Sequence, residues 1–158
     1  MKRITPCLWF DDQAEQAAEF YCSIFSDSRI IEITRYTSAG PGPEGSVLTV
    51  LFELDGSQFI ALNGGPLFPF TEAVSFSIDC ADQAEIDYYW DRLLDGGEPV
   101  QCGWLKDRYG LSWQVTPSEL NAWVADPDPV KAARVTEVML GMIKLDLEKL
   151  RAAYEGTL

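Results

Sequence analysis

The chain has 158 residues, 47% of them hydrophobic, with 25 acids against 12 bases and a formal net charge of -13. That length fits one domain, or one domain with an appendage, and the apolar fraction is enough for a real core. No Lys/Arg cluster could displace counterions from a duplex, and no apolar run nears the ~18 residues that span a bilayer, so nucleic acid and membrane are excluded as partners.

The start, Met1-Lys2-Arg3-Ile4-Thr5-Pro6, enters a strand directly without an apolar leader, and the expectation is a cytoplasmic protein. Cys7, Cys22, Cys80 and Cys102 show no C-x-x-C spacing and read as reduced, partly buried small hydrophobes. There is no histidine. That removes the commonest general base near neutral pH and the commonest metal ligand.

Residues 3–10 read as a strand. Asp11 or Asp12 is expected to cap a helix whose apolar stripe runs through Ala14, Ala17, Ala18, Phe20, Tyr21, Ile24 and Phe25. Residues 29–37 follow as a strand. The Gly/Pro loop from Ser38 to Gly45 cannot be regular structure. Strands at 46–54 and 58–63 are joined by the Asp55-Gly56 turn, and Asn63-Gly64-Gly65-Pro66 closes the unit.

After Leu67-Phe68-Pro69-Phe70 the pattern restarts. Residues 73–80 form a strand, and Asp82 caps a helix through Ile86, Tyr89, Trp90, Leu93 and Leu94 that stops at Gly96-Gly97. Short strands near 98–102 and 103–106 lead to a hairpin strand at 111–116. Its turn is Asp107 to Gly110, and Asp107 and Arg108 are read as exposed turn residues. Along that strand Leu111, Trp113 and Val115 point one way, and Ser112, Gln114 and Thr116 the other. Asp12-Gln13-Ala14-Glu15 and Asp82-Gln83-Ala84-Glu85 are the same tetrapeptide, each opening a helix after a strand. In that register they indicate an internal βαβββ repeat.

The tail differs. A short helix from Glu119 to Val124 precedes the Asp126-Pro127-Asp128-Pro129 break. A second stripe, Val130, Ala133, Val135, Val138, Met139 and Met142, then needs cover. A last helix starts at Asp146. Val135, Val138, Met139 and Met142 are expected to contribute a homodimer interface.

Several segments carry a resemblance. They are Ile4-Thr5-Pro6, Trp9-Phe10-Asp11, Ala17 to Tyr21, Ile60 to Pro66, Asp82 to Asp87, and Cys102 to Asp107 running on to Trp113-Gln114. In them the chain resembles the PhnB-like branch of the glyoxalase/bleomycin-resistance/dioxygenase (vicinal oxygen chelate) superfamily, a branch named for 3-demethylubiquinone-9 3-methyltransferase. The resemblance implies an α+β fold of two βαβββ repeats in an eight-stranded curled sheet, and a homodimer. It sets a PhnB-type domain at 1–120, with repeats at 1–66 and 73–117, and a helical extension at 121–158. Metal-dependent relatives carry ligands at positions aligned here with Pro6, Ala61, Ser75 and Gln114, a set that does not suit a metal. No cofactor is expected.

The candidate ligand-binding residues are Gln114, Ser75, Ser77, Asn63, Phe10 and Trp104. The first three and Trp104 would line a sheet face, Asn63 lies before two glycines, and Phe10 would stand at a cavity mouth. Three function classes stay open. One is a metal-free small-molecule binder. The second is an enzyme using carboxylates, tyrosine or cysteine. The third is a dimer without a small ligand.

Overall fold

Two strand ladders of identical order carry the architecture. The computed structural model describes residues 4–158, which divide into one unit ending at Phe70 and another starting at Thr71. The first comprises β1 (Cys7–Phe10), α1 (Ala14–Ile24), β2 (Arg29–Arg35), β3 (Val47–Leu54) and β4 (Ser57–Asn63). Its sheet runs β1-β4-β3-β2, with β1 parallel to β4 and the other neighbours antiparallel. The second holds β5 (Ser75–Cys80), α2 (Gln83–Leu94), β6 (Glu98–Pro99), β7 (Trp104–Lys106) and β8 (Ser112–Pro117). Its order, β5-β8-β7-β6, repeats the first with the same parallel and antiparallel neighbours. The fold is α+β, and the eight strands are shared between two four-stranded mixed sheets.

Register explains each core. Leu8 and Val50 both lie opposite Ala61, so all three share the face beneath α1. The helix answers with Ala14, Ala17, Ala18, Tyr21 and Ile24, a stripe at helical spacing whose alanines allow close approach. Tyr21 stacks towards Phe52, and Phe52 on Phe59 at 5.5 Å between ring centres. Phe10, expected at a cavity mouth, is 3% exposed and meets Phe70 edge-on at 5.2 Å. The parity that buries Leu8 also buries Phe10. In the second unit Trp113, Val115 and Leu105 face the Ile86, Trp90 and Leu93 stripe of α2.

The repeated tetrapeptide is capped in two ways. Asp82 accepts from the Glu85 N–H at 2.9 Å while Glu85 Oε2 accepts from the Ala81 N–H, one residue before the cap, at 2.7 Å, a variant of the capping box. In the first unit neither Asp11 nor Asp12 caps α1. The N-cap position is Gln13, which makes no side-chain cap bond, and Asn63 Oδ1 instead accepts from the Ala14 N–H at 2.8 Å. A residue from the far end of β4 replaces the local cap.

The tail forms α3 (Leu120–Val124), α4 (Pro129–Leu140) and α5 (Leu147–Glu155). Asp128 caps α4 with Pro129 at its first position, Asp146 caps α5, and Gly156 ends α5 at φ 77°. The stripe expected at a dimer interface is used in part within the chain. Val135 is 0% exposed and clusters with Leu120, Leu145 and Leu150, while Val138, Met139 and Met142 pack partly against them. α3 and α5 cover part of the stripe, α5 with a facing stripe of its own, Leu147, Leu150 and Ala153.

Acid should loosen this tail first. The Lys144 ammonium, then the Gln83 amide, holds Asp87 below the usual carboxylate range, and the Tyr154 hydroxyl, then the Asp128 N–H, does the same for Asp126. Groups with depressed folded values stabilise above the unfolded value, about 3.9 for Asp, and lose that contribution as pH falls through the folded one. Thermal unfolding followed from pH 6 to pH 3 should show protection of α4 and α5 amides falling below about pH 4. Equal protection of the tail at both ends of that range would contradict it.

Candidate functional site

A cleft in the first unit lies where three chain reversals meet. The N-terminal end of α1, the C-terminal end of β4 and the long β2–β3 loop surround a cleft of about 420 Å³. Asp11, Asp12, Glu15 and Gln16 come from the helix end, Asn63, Gly64 and Gly65 from the strand end, and Tyr36 and Pro41 to Pro43 from the loop. Tyr36 organises the loop. Its hydroxyl donates to the Asn63 carbonyl at 2.5 Å, and its ring lies against Gly40 and Gly42, where any side chain would overlap it. Gly64 is pressed against the Trp9 indole in the same way, and the indole N–H donates to the Gly65 carbonyl at 2.9 Å.

The walls differ in chemistry. Among the described residues Asp11, Asp12 and Glu15 enter no ion pair. On the other side of Tyr36 a groove of about 330 Å³ is bounded by Trp9, Leu48 and Leu62. Asn63 is more than a turn residue. Besides capping α1, its Nδ2 donates to the Val47 carbonyl at 3.1 Å, so its amide fixes the cleft floor from within.

The other candidates lie together on the second sheet. Ser77 sits opposite Gln114, and Gln114 opposite Trp104, forming one row across β5, β8 and β7. Ser75 sits opposite Ser112, and Ser112 opposite Lys106, forming the next. Gln114 Nε2 donates to Ser75 Oγ at 2.9 Å. Ser112 is 1% exposed and its Oγ has no hydrogen-bond partner among the described residues. Lys106 is engaged by Glu72 and Glu98.

The residues do not fit the metal that many proteins of this architecture hold. Ala61 lies under α1 with no exposure, Pro6 offers no side-chain donor, and Ser75 and Gln114 are bonded to each other. No group of three or more His, Cys, Asp or Glu among the described residues could hold an ion. No glycine-rich strand-to-helix loop occurs either. The β1–α1 and β5–α2 junctions carry no glycine, and Gly64-Gly65 leads into a turn.

Asp107 was misread. It is 3% exposed, its Oδ1 accepts from the Tyr109 and Leu111 N–H groups, and its Oδ2 accepts from the Trp113 indole at 2.9 Å. The signal available was the tryptophan six residues on, on the inward face of the hairpin. Of the thiols, Cys7 is exposed rather than partly buried, and Cys80 is sealed, its pKa raised by burial to about 12.

Two βαβββ units of this order define a protein of the glyoxalase/bleomycin-resistance/dioxygenase fold. The chain belongs to the 3-demethylubiquinone-9 3-methyltransferase family, whose model matches residues 2–116. A structure described as a 3-demethylubiquinone-9 3-methyltransferase, PhnB protein, of Bacillus cereus is 37% identical over 73% of this chain and 99% of its own, with a TM-score of 0.67. A Pseudomonas aeruginosa protein is similar in fold at 18% identity, covering 74% and 98% of the two chains, TM-score 0.61. The fosfomycin resistance protein FosX of Mesorhizobium loti shares the fold at 15% identity, covering 73% and 91%, TM-score 0.51. No curated protein matches the chain. Among the described residues no helix is long and apolar enough to cross a membrane.

Proposed function

We propose that this protein binds a small organic molecule without a metal, and that the cleft at the N-terminal end of α1 is where it binds. The observation that carries this is the cleft itself. Its floor is fixed by Asn63 and Tyr36, its volume suits a small ligand, and its wall carries Asp11, Asp12 and Glu15 beside main-chain groups of Gly64 and Gly65. The homodimer that the family likeness implies belongs to the same proposal, with the partly exposed Val138, Met139 and Met142 in its interface. The polar face of the second sheet is a second reading, favoured by the orphaned Ser112 hydroxyl beside Ser75 and Gln114.

A fragment library screened by amide chemical shifts tests both. The expected result is hits that move Asp12, Glu15, Tyr36 and Gly64. Hits that move only Ser75, Ser112 and Gln114 would transfer the site to the second sheet. A library without hits at either place would remove the small-molecule reading.

A further inference from the structure

The floor of the cleft is built on a chemically labile pair, Asn63-Gly64. Asparagine is among the thermally labile residues. It is most so before glycine, whose missing side chain leaves the next amide nitrogen free to reach the carboxamide. Both letters are imposed by the structure. Asn63 has to be an amide, because its Oδ1 accepts from the Ala14 N–H at 2.8 Å and its Nδ2 donates to the Val47 carbonyl at 3.1 Å. A carboxylate could only accept. Gly64 has to lack a side chain, because a Cβ there would overlap the Trp9 indole. The chain's other asparagine, Asn121, precedes alanine and lies exposed in α3.

The bonds that impose the pair also hold its two halves apart. The Gly64 N–H, whose nitrogen would attack, donates to the Phe10 carbonyl at 2.9 Å where β1 runs parallel to β4. The carboxamide is fixed at both ends, and the Tyr36 hydroxyl holds the Asn63 main-chain carbonyl. Turning the carboxamide onto the Gly64 nitrogen breaks the bonds to Ala14, Val47 and Phe10 together. Asn63 is half-buried, so water reaches it once they open. We propose that Asn63 is a modification site: when the end of β4 opens, its side-chain amide is lost by hydrolysis and the cleft is dismantled irreversibly. The Gly64 nitrogen bonds to Asn63 Cγ, the Cγ–Nδ2 bond breaks, and Nδ2 leaves as ammonia with the Gly64 proton. Water then opens the cyclic imide at either carbonyl. The net change is amide and water to acid and ammonia, with nothing oxidised or reduced.

Both products undo the floor. Aspartate keeps an acceptor for the Ala14 N–H but sets an oxygen against the Val47 carbonyl, acceptor against acceptor. The isoaspartyl form adds a carbon to the main chain after residue 63 and shifts Gly64 from Phe10 and Trp9. The site stands whatever the cleft binds.

The intact protein is held at pH 8, folded and in urea, and residue 63 is followed by peptide mass spectrometry. The unfolded chain is expected to convert at residue 63 at least tenfold faster than the folded one, with Asn121 slower than Asn63 in urea. Tyr36→Phe, which loses the hydroxyl bond, should convert severalfold faster when folded and no faster in urea. Asn63→Asp, one of the two products, should exchange the Gly64 and Gly65 amides at least tenfold faster than the parent; these donate to the Phe10 and Asp11 carbonyls. Equal rates folded and in urea would overturn the protection by the fold. No conversion at residue 63 in urea, or Asn121 converting first, would overturn the site. An unchanged folded rate in Tyr36→Phe would overturn the part given to Tyr36, and unchanged exchange in Asn63→Asp the loss of the cleft.

Discussion

Truncating Trp113 to alanine should cost the fold about 3–5 kcal/mol, read as a lowered midpoint in urea unfolding with an unchanged slope. Two effects add. The indole is 3% exposed, packs against Phe76 at 5.7 Å between ring centres, and fills the space between β8 and α2. Its removal also takes one donor from Asp107 Oδ2, a buried carboxylate whose other oxygen serves two main-chain N–H groups of the hairpin turn. Trp113→Phe separates them. It keeps most of the volume and loses the donor, so it should cost about 1–3 kcal/mol, the range for a buried polar group left short of a partner. If the alanine variant lies within about 1 kcal/mol of the parent, the hairpin is not the anchor of the second unit.

Leu145→Ala should cost about 2–5 kcal/mol, although the residue lies outside the matched family segment. Leu145 is fully buried among Leu120, Val135 and Leu150. It also seats against Gly103, whose φ of 80° and missing side chain let the tail approach; a Cβ there would come 3.0 Å from the leucine carbons. The cavity thus opens where α3, α4 and α5 are joined to the second sheet. Gln83→Ala removes hydrogen bonds from the same junction and should cost less, about 1–3 kcal/mol. Hydrogen exchange at the Leu147 amide reads both. The expected result is a loss of protection that is larger in Leu145→Ala and spreads through α4 and α5. A tail that stays protected in both variants would show that it folds without the second sheet.

Most secondary structure was legible because local chemistry and tertiary packing agree in it. The alternating pattern of β8, the Ala-rich stripe of α1, the Asp55-Gly56 and Asp107 to Gly110 turns, and the Asp82 cap all express preferences within a few residues. The doubled tetrapeptide, with strand and hairpin in step, was enough to declare the repeat. What was misread depends on residues distant in sequence. Asn63 replaces the expected Asp11 or Asp12 cap because the end of β4 lies beside the start of α1. Gln83, one letter of the repeated helix start, meets main-chain groups that the tail brings to it.

The sequence by itself determined the strand and helix order, the absence of a histidine chemistry and the polarity of each face, while the fold class came from the family resemblance. The first three follow from periods of 2 and 3.6 residues and from composition, which need no partner to be read. Only the tertiary structure decided what each polar group does. It buried Asp107, packed part of the tail stripe against its own α3 and α5, and left a cleft at the N-terminal end of α1. A carboxylate, an amide or an apolar stripe has the same local signature whether water, its own chain or a ligand satisfies it. Which one does is set by the residues that folding brings within hydrogen-bond reach.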